Sequence, residues 1–266
     1  MFETAWALAI ALTLQAAGAP PKTSAPSPGA TLQPATWSDD RPITRFFPNL
    51  LRDVRAVPSV NSALVLGVGG VGAGALHSVD EDFARRSAKS GLSSYALLGG
   101  RLGDGWMQVG AAFGAYGIGK VAHKPQVIHV GSDLIRAQAL NALITVPLKA
   151  VVDRTRPDGG HYAFPSGHTS ATFASAATLH AHYGWRVGVP AYAIASFVGW
   201  TRARDGKHWL SDVAFGSAIG IVSGRTVAAK HGRPGRITIT PAPTKGGGMV
   251  TVTVQGKGQR AEGRGR

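Results

Sequence analysis

The chain has no cysteine among its 266 residues. That excludes a disulfide scaffold, a thiol nucleophile and a cysteine-ligated zinc site. Acidic residues are scarce: 14 Asp and Glu stand against 28 Lys and Arg, giving a formal net charge of +14. Such an excess favours anionic partners, whether phosphate esters, acidic lipid surfaces or nucleic acid. Long apolar runs are scarce too. The longest uncharged one, Ala56–Leu76, reaches 21 residues but contains Pro58, Ser59, Asn61, Ser62 and several glycines. A membrane span needs about 20 mostly apolar residues, and the mean hydropathy of the chain is only +0.04. These absences predict the buried helices of a soluble or peripheral bundle, with a polytopic membrane protein as the alternative. Hydrophobic residues still make up 44%, which excludes wholesale disorder. With 36 glycines, the helices are expected to pack closely through small residues.

The ends differ from the middle. Residues 1–19 hold an apolar run, Ala5 to Leu14, followed by Ala17-Gly18-Ala19, which reads as a signal peptide or an N-terminal anchor. Residues 20–45 are rich in proline (Pro20, Pro21, Pro26, Pro28, Pro34, Pro42) and read as a linker. From Phe46 to about residue 226, apolar stretches alternate with Gly, Asp and Pro breakers, the texture of a helical domain. The stretches are Ala63–Leu76, Gly105–Gly119, Ala137–Leu148, Thr169–Leu179, Val187–Thr201 and Val213–Gly224. Residues 227–266 form a basic tail, with eight Lys and Arg against Glu262. Within it, Arg236–Thr240 and Met249–Val254 alternate with period two, as in a β-hairpin. The apolar start, the linker and the missing cysteines together predict an exported protein, periplasmic or associated with the inner membrane.

Three segments carry candidate chemistry. In the first, Lys149 and Arg156 stand seven apart, two helical turns, with Pro157 expected to stop the helix. In the second, Pro165-Ser166-Gly167-His168 reads as a helix entry. Backbone N–H groups there attract an anion, and Gly167 lets an oxyanion come close. In the third, Arg202 precedes His208 by six residues, and His208 and Asp212 are four apart, expected on one helical face. An Asp accepting from one imidazole nitrogen fixes the tautomer and leaves the other nitrogen free to attack. Together these supply three cations, a helix N-terminus, an oriented nucleophile and a second imidazole. A phosphoryl group in transfer spreads charge over its equatorial oxygens, so such a set suits phosphoryl transfer.

The three segments resemble the signature of the type 2 phosphatidic acid phosphatase / vanadium haloperoxidase superfamily, which includes bacterial class A acid phosphatases. Its pattern is Lys-x6-Arg-Pro, Pro-Ser-Gly-His and Ser-Arg-x5-His-x3-Asp. Lys149, Arg156 and Pro157 meet the first, and Pro165 to His168 the second. Arg202, His208 and Asp212 meet the third, with Thr201 replacing Ser. The resemblance implies an all-α helical bundle. It implies hydrolysis of phosphomonoesters or lipid phosphates and diphosphates through a phosphohistidine on His208. Asp212 and His168 would complete the catalytic set, and Lys149, Arg156, Ser166, Gly167 and Arg202 would bind the phosphate. No metal or other cofactor is implied, and vanadate is expected to inhibit. A vanadate-dependent haloperoxidase is an alternative, as is a non-catalytic, basic membrane-binding protein. The expected partner is a phosphorylated small molecule or lipid phosphate, with an anionic membrane surface open to the tail. Nucleic acid is not expected, because the tail lacks interleaved aromatics. The loop before Ser166 is too short to form a lid, so the expectation is an open pocket of broad specificity or a specificity set by residues 46–130.

Overall fold

The computed structural model of the chain describes residues 43–88, 93–229, 236–244 and 247–255. The signal or anchor segment over 1–19 and most of the linker over 20–45 lie outside the described residues. The linker's last three residues, Ile43–Arg45, form a 3-10 turn that leads into the first helix.

Nine α-helices follow among the described residues. They are α1 (Phe46–Ala56), α2 (Val60–His77), α3 (Asp80–Ala88), α4 (Ser93–Gly103), α5 (Gly105–Val121), α6 (Pro125–Val152), α7 (Gly167–Tyr183), α8 (Trp185–Arg204) and α9 (Leu210–Ala228). Local chemistry sets their ends. Ser59 accepts the Ser62 N–H at 3.2 Å and starts α2. Asp104 accepts the Trp106 N–H at 2.8 Å and starts α5. Pro125 occupies the first turn of α6, where no N–H is missed. Gly184, at φ 76°, lets α7 stop and α8 begin one residue later.

The helical unit, within Trp37–Gly232, is an all-α bundle, as the sequence pattern predicts. Its central helix is α7, which packs mainly on α8 and α9, while α6 packs on α5, α7 and α9. Small residues dominate the α7 interface, with Ala171, Ala174, Ala176 and Ala177 buried beside Thr169, Ser170, Thr172 and Thr178. On α9, Gly216, Gly220 and Gly224 recur every fourth residue and face the α7 backbone. A Cβ on Gly216 would lie 2.7 Å from the Ser166 carbonyl oxygen, and one on Gly220 would lie 2.6 Å from Phe173 Cβ. The two helices therefore touch backbone to backbone, as small residues permit.

The helix α2 departs from the soluble-bundle expectation. It buries only Ser62 and Ala73, while Val60, Leu64, Val68 and Val71 are exposed. A helix this apolar, with its side chains unburied, is not the core helix of a water-soluble domain. Both α2 and α6 are long and apolar enough to cross a membrane, with mean hydropathy of 1.3 and 1.2. The polar residues that counted against α2 as a span lie in or next to its first turn, and of its glycines Gly69 and Gly70 face Ala218 and Phe215 of α9.

The second unit holds two strands, β1 (Arg236–Thr244) and β2 (Gly247–Gln255). They pair antiparallel, with Arg236 opposite Gln255 and Thr240 opposite Thr251.

Candidate active site

The site forms where the C-terminal end of α6, the start of α7, the end of α8 and the start of α9 meet the loop 153–166. Two local expectations need correction. The helix carrying Lys149 stops at Val152, well before Pro157, because Asp153 turns left-handed at φ 37° and ψ 47°. Arg156 therefore sits in a loop rather than on the helical face of Lys149. That loop is closed by its own backbone: Arg156 N–H donates to Gly160 O at 2.7 Å, and Ala163 N–H donates to Arg154 O at 2.8 Å. His208 likewise precedes α9, with Asp212 in that helix's first turn.

The second correction concerns the partner of His208. The His208 Nδ1–H points at the Ala163 carbonyl, 2.6 Å away, whereas the nearest Asp212 oxygen is 3.9 Å from Nδ1. The tautomer is held by a backbone carbonyl, and Nε2 keeps its lone pair. Asp212 has other tasks: Oδ2 accepts the Trp209 N–H at 2.8 Å and Oδ1 accepts from Arg154 at 2.7 Å. Its carboxylate stands beside His208 without a hydrogen bond to it.

Ser166 and Gly167 begin α7, with Ser166 fully buried and its N–H donating to Asp212 O at 3.1 Å. Lys149 reaches across to this turn. Its Nζ donates to Tyr162 O at 2.7 Å, and a Cβ on Gly167 would lie 3.4 Å from its Cε. The Nε atoms of Arg156 and Arg202 are buried and lack a hydrogen-bond partner. Buried guanidinium nitrogens left unpaired are costly, which is understandable if an anion completes them. Burial, then the charge of Lys149, holds the His208 imidazole well below its ordinary range, with Arg156 and Arg202 adding to the effect. His168 is pushed down to about 4 by burial and then by Arg202, with Lys149 and Arg156 adding to the effect. The same three cations thus act on both imidazoles, and the structure brings the expected set together.

The helix α4 supplies a wall that the sequence reading did not locate. Gly100 abuts an Arg202 Nη atom, and Gly103 abuts the His168 ring. Leu97, Arg101 and Asp104 line an open cleft with His168, Arg202 and Asp205. Arg202 also pairs with Asp205 at 3.3 Å, and Lys207 with Asp158 at 2.8 Å, so Asp205 and Lys207 brace the rim. Arg154, Asp80 and Ser211 were missed as well. Asp80 is 131 residues from Ser211, and a carbonyl such as Ala163's carries no sequence signature. The spacing Arg154-x-Arg156 was the one visible hint.

Residues 131–235 match the family model of the PAP2 superfamily. The lipid A 1-phosphatase of Porphyromonas gingivalis is 45% identical over 75 residues, which cover 27% of this chain and 17% of that protein. The lipid A 4'-phosphatase of Helicobacter pylori is 34% identical over 55 residues, covering 21% of this chain and 28% of that one. The chain thus spans under a third of the length of these curated relatives. Among solved structures, Aquifex aeolicus LpxE aligns with 57% of this chain and 94% of its own, at 21% identity and a TM-score of 0.45. A PAP2-type phosphatidylglycerolphosphate phosphatase from Bacillus subtilis aligns with 73% of this chain and 98% of its own, at 20% identity and a TM-score of 0.33. The segment that holds Lys149, His168, Arg202, His208 and Asp212 is thus similar to the PAP2 superfamily, the type 2 phosphatidic acid phosphatases.

Proposed function

We propose that this protein is a membrane-embedded phosphatase that removes phosphate from lipid phosphates through a phosphohistidine on His208. The observation that carries the reading is the His208 Nδ1–H held by Ala163 O at 2.6 Å, which leaves Nε2 free among three cations. In the first step Nε2 attacks phosphorus, the P–N bond forms and the P–O bond to the lipid breaks. His168 gives its proton to the departing alkoxide. In the second step His168 takes a proton from water, whose oxygen attacks phosphorus. The P–N bond breaks, and inorganic phosphate leaves with His208 restored. Lys149, Arg156 and Arg202 neutralise the equatorial oxygens throughout, work that a divalent ion performs in other phosphatases. The two lipid A phosphatase relatives support a lipid phosphate as substrate.

The depressed imidazoles set the pH dependence. His208 attacks as the neutral form. Its lowered pKa keeps it neutral as pH falls through about 6.5, the ordinary imidazole value. The proton that His168 must deliver is scarce in the empty site, and the substrate's own second proton, pKa about 6, can supply it. The profile of kcat/KM is therefore expected to peak on the acid side, at about pH 5–6, and to fall as pH rises. A plateau from pH 7 to 9 with a falling limb centred at about 6.5 would show an ordinary, unshifted His208.

Membrane embedding is supported by α2 and by exposed Trp106, Met107, Phe113 and Ile118 on α5. A protein lacking residues 1–42 is expected to stay in the membrane fraction through a high-salt wash and to need detergent for extraction. Release of that truncated protein as a soluble, active enzyme would restore the soluble bundle and reduce the N-terminus to an address or an anchor.

A further inference from the structure

Arg154 lies outside the phosphate-binding set, yet it makes the densest group of polar contacts beside it. Its Nη1 donates to Asp212 Oδ1 and to Ser211 Oγ, both at 2.7 Å. Its Nη2 donates to Asp80 Oδ2 at 2.9 Å. Asp80 is 2% exposed and Asp212 fully buried, so one guanidinium neutralises two buried carboxylates. Asp80 in turn accepts the Ser211 N–H at 3.1 Å. The residue at the start of α9 is Trp209, which has no oxygen with which to cap, and Asp80 supplies the acceptor from another helix. The Arg154 guanidinium also lies 5.2 Å from the centre of the Trp209 ring, whose Nε1–H donates to Thr155 O at 2.8 Å. Finally, the Arg154 carbonyl accepts the Ala163 N–H, and Ala163 O is the group that holds His208.

We propose that Arg154, anchored by Asp80, is a positioning residue for the nucleophile. Its side chain fixes the Asp212 carboxylate beside His208, and its carbonyl fixes the Ala163 carbonyl that selects the His208 tautomer. This rests on the phosphatase reading for its kinetic consequences, though not for its structural ones. Arg154 differs in kind from Arg156 and Arg202, because both of its Nη atoms are already engaged by protein groups, whereas the latter two hold unpaired buried Nε atoms.

The test uses the full chain in detergent micelles, with phosphatidate as substrate and 15N-labelled histidine. Arg154→Ala is expected to lower kcat about 30- to 100-fold with KM changed by less than about twofold, the pattern of a lost orienting contact. Arg154→Lys should recover part of that loss, since one ammonium can hold one carboxylate but not both. In an Asp212→Asn background, Arg154→Ala should cost less than about threefold, because the group it orients is already altered. The His208 ring should show a single neutral Nδ1–H tautomer in the wild type, and its 15N signals should move in Arg154→Ala, which keeps the backbone carbonyl but frees the Asp212 carboxylate. Raised KM at unchanged kcat would make Arg154 a substrate ligand instead, and multiplying losses in the double variant would make it independent of Asp212. Either result overturns the proposal, as does an unchanged His208 signal in Arg154→Ala. If that variant does not fold, Arg154→Lys decides by the same readouts. If the wild type releases no phosphate, the phosphatase reading fails on its own, and the tautomer spectra still decide the role of Arg154.

Discussion

Replacing His208 by alanine is expected to abolish phosphate release, by roughly 10,000-fold or more, while leaving the fold intact. The side chain is buried and makes one hydrogen bond, to Ala163 O, so its removal frees one carbonyl and opens a small polar cavity. The covalent route is lost because the attacking nitrogen itself is removed. Asp212 and Arg154 keep the start of α9 closed without it. Circular dichroism and thermal unfolding should match the wild type, and rapid quenching should show no acid-labile, base-stable phosphoenzyme. Turnover within about tenfold of the wild type would place the nucleophile elsewhere.

The other large effect is expected far from the chemistry. Gly220→Val inserts a branched side chain where α9 lies on α7. Even a single Cβ there would run into the Ser170 carbonyl oxygen and approach Ala174 N to 2.9 Å. Backbone atoms cannot swing aside as a side chain can, so the helices must separate. α7 carries Ser166 to His168, and α9 begins with the turn that holds Asp212. A displacement of about 1 Å between such groups can cost about 100-fold in rate. The expected outcome is at least that loss, with about 3 kcal/mol or more of destabilisation in the thermal unfolding of the detergent-solubilised protein. Gly67→Ala on α2 is the control, since a Cβ there meets nothing within 4 Å. Equal unfolding temperatures for Gly220→Val and the control would refute the backbone contact.

The sequence showed a good deal of this arrangement. Its six apolar stretches each lie within one of α2 and α5 to α9, because small, apolar, breaker-bounded segments have few other ways to satisfy their backbones. α1, α3 and α4 went unread: α1 and α3 are short and charged, and α4 is interrupted by Gly99 and Gly100. The site residues were legible as types and spacings, but their partners were not. Spacing four between His208 and Asp212 suggested a direct hydrogen bond, and the late start of α9 at Leu210 removed it. Carbonyl acceptors and contacts across 131 residues leave no trace in a linear pattern, which is why Ala163 and Asp80 emerged only from the fold. The buried His182 has a similar origin. Two neighbouring histidines on one helix gave no sign that His182 Nε2 would meet Asp133, 2.9 Å away across the bundle.

Three protein cations and an imidazole are expected to hydrolyse a lipid phosphate without help from a divalent ion. One purified, detergent-solubilised preparation should be given phosphatidate, lipid A, an isoprenyl diphosphate and a soluble aryl phosphate in turn, each with excess chelator. The expected result is phosphate release from a lipid substrate at full rate in the chelator, faster than from the aryl ester and blocked by vanadate, which would take the five-coordinate place held by Lys149, Arg156 and Arg202. Activity lost in chelator and restored by a divalent ion, or no phosphate from any of the four, would contradict it.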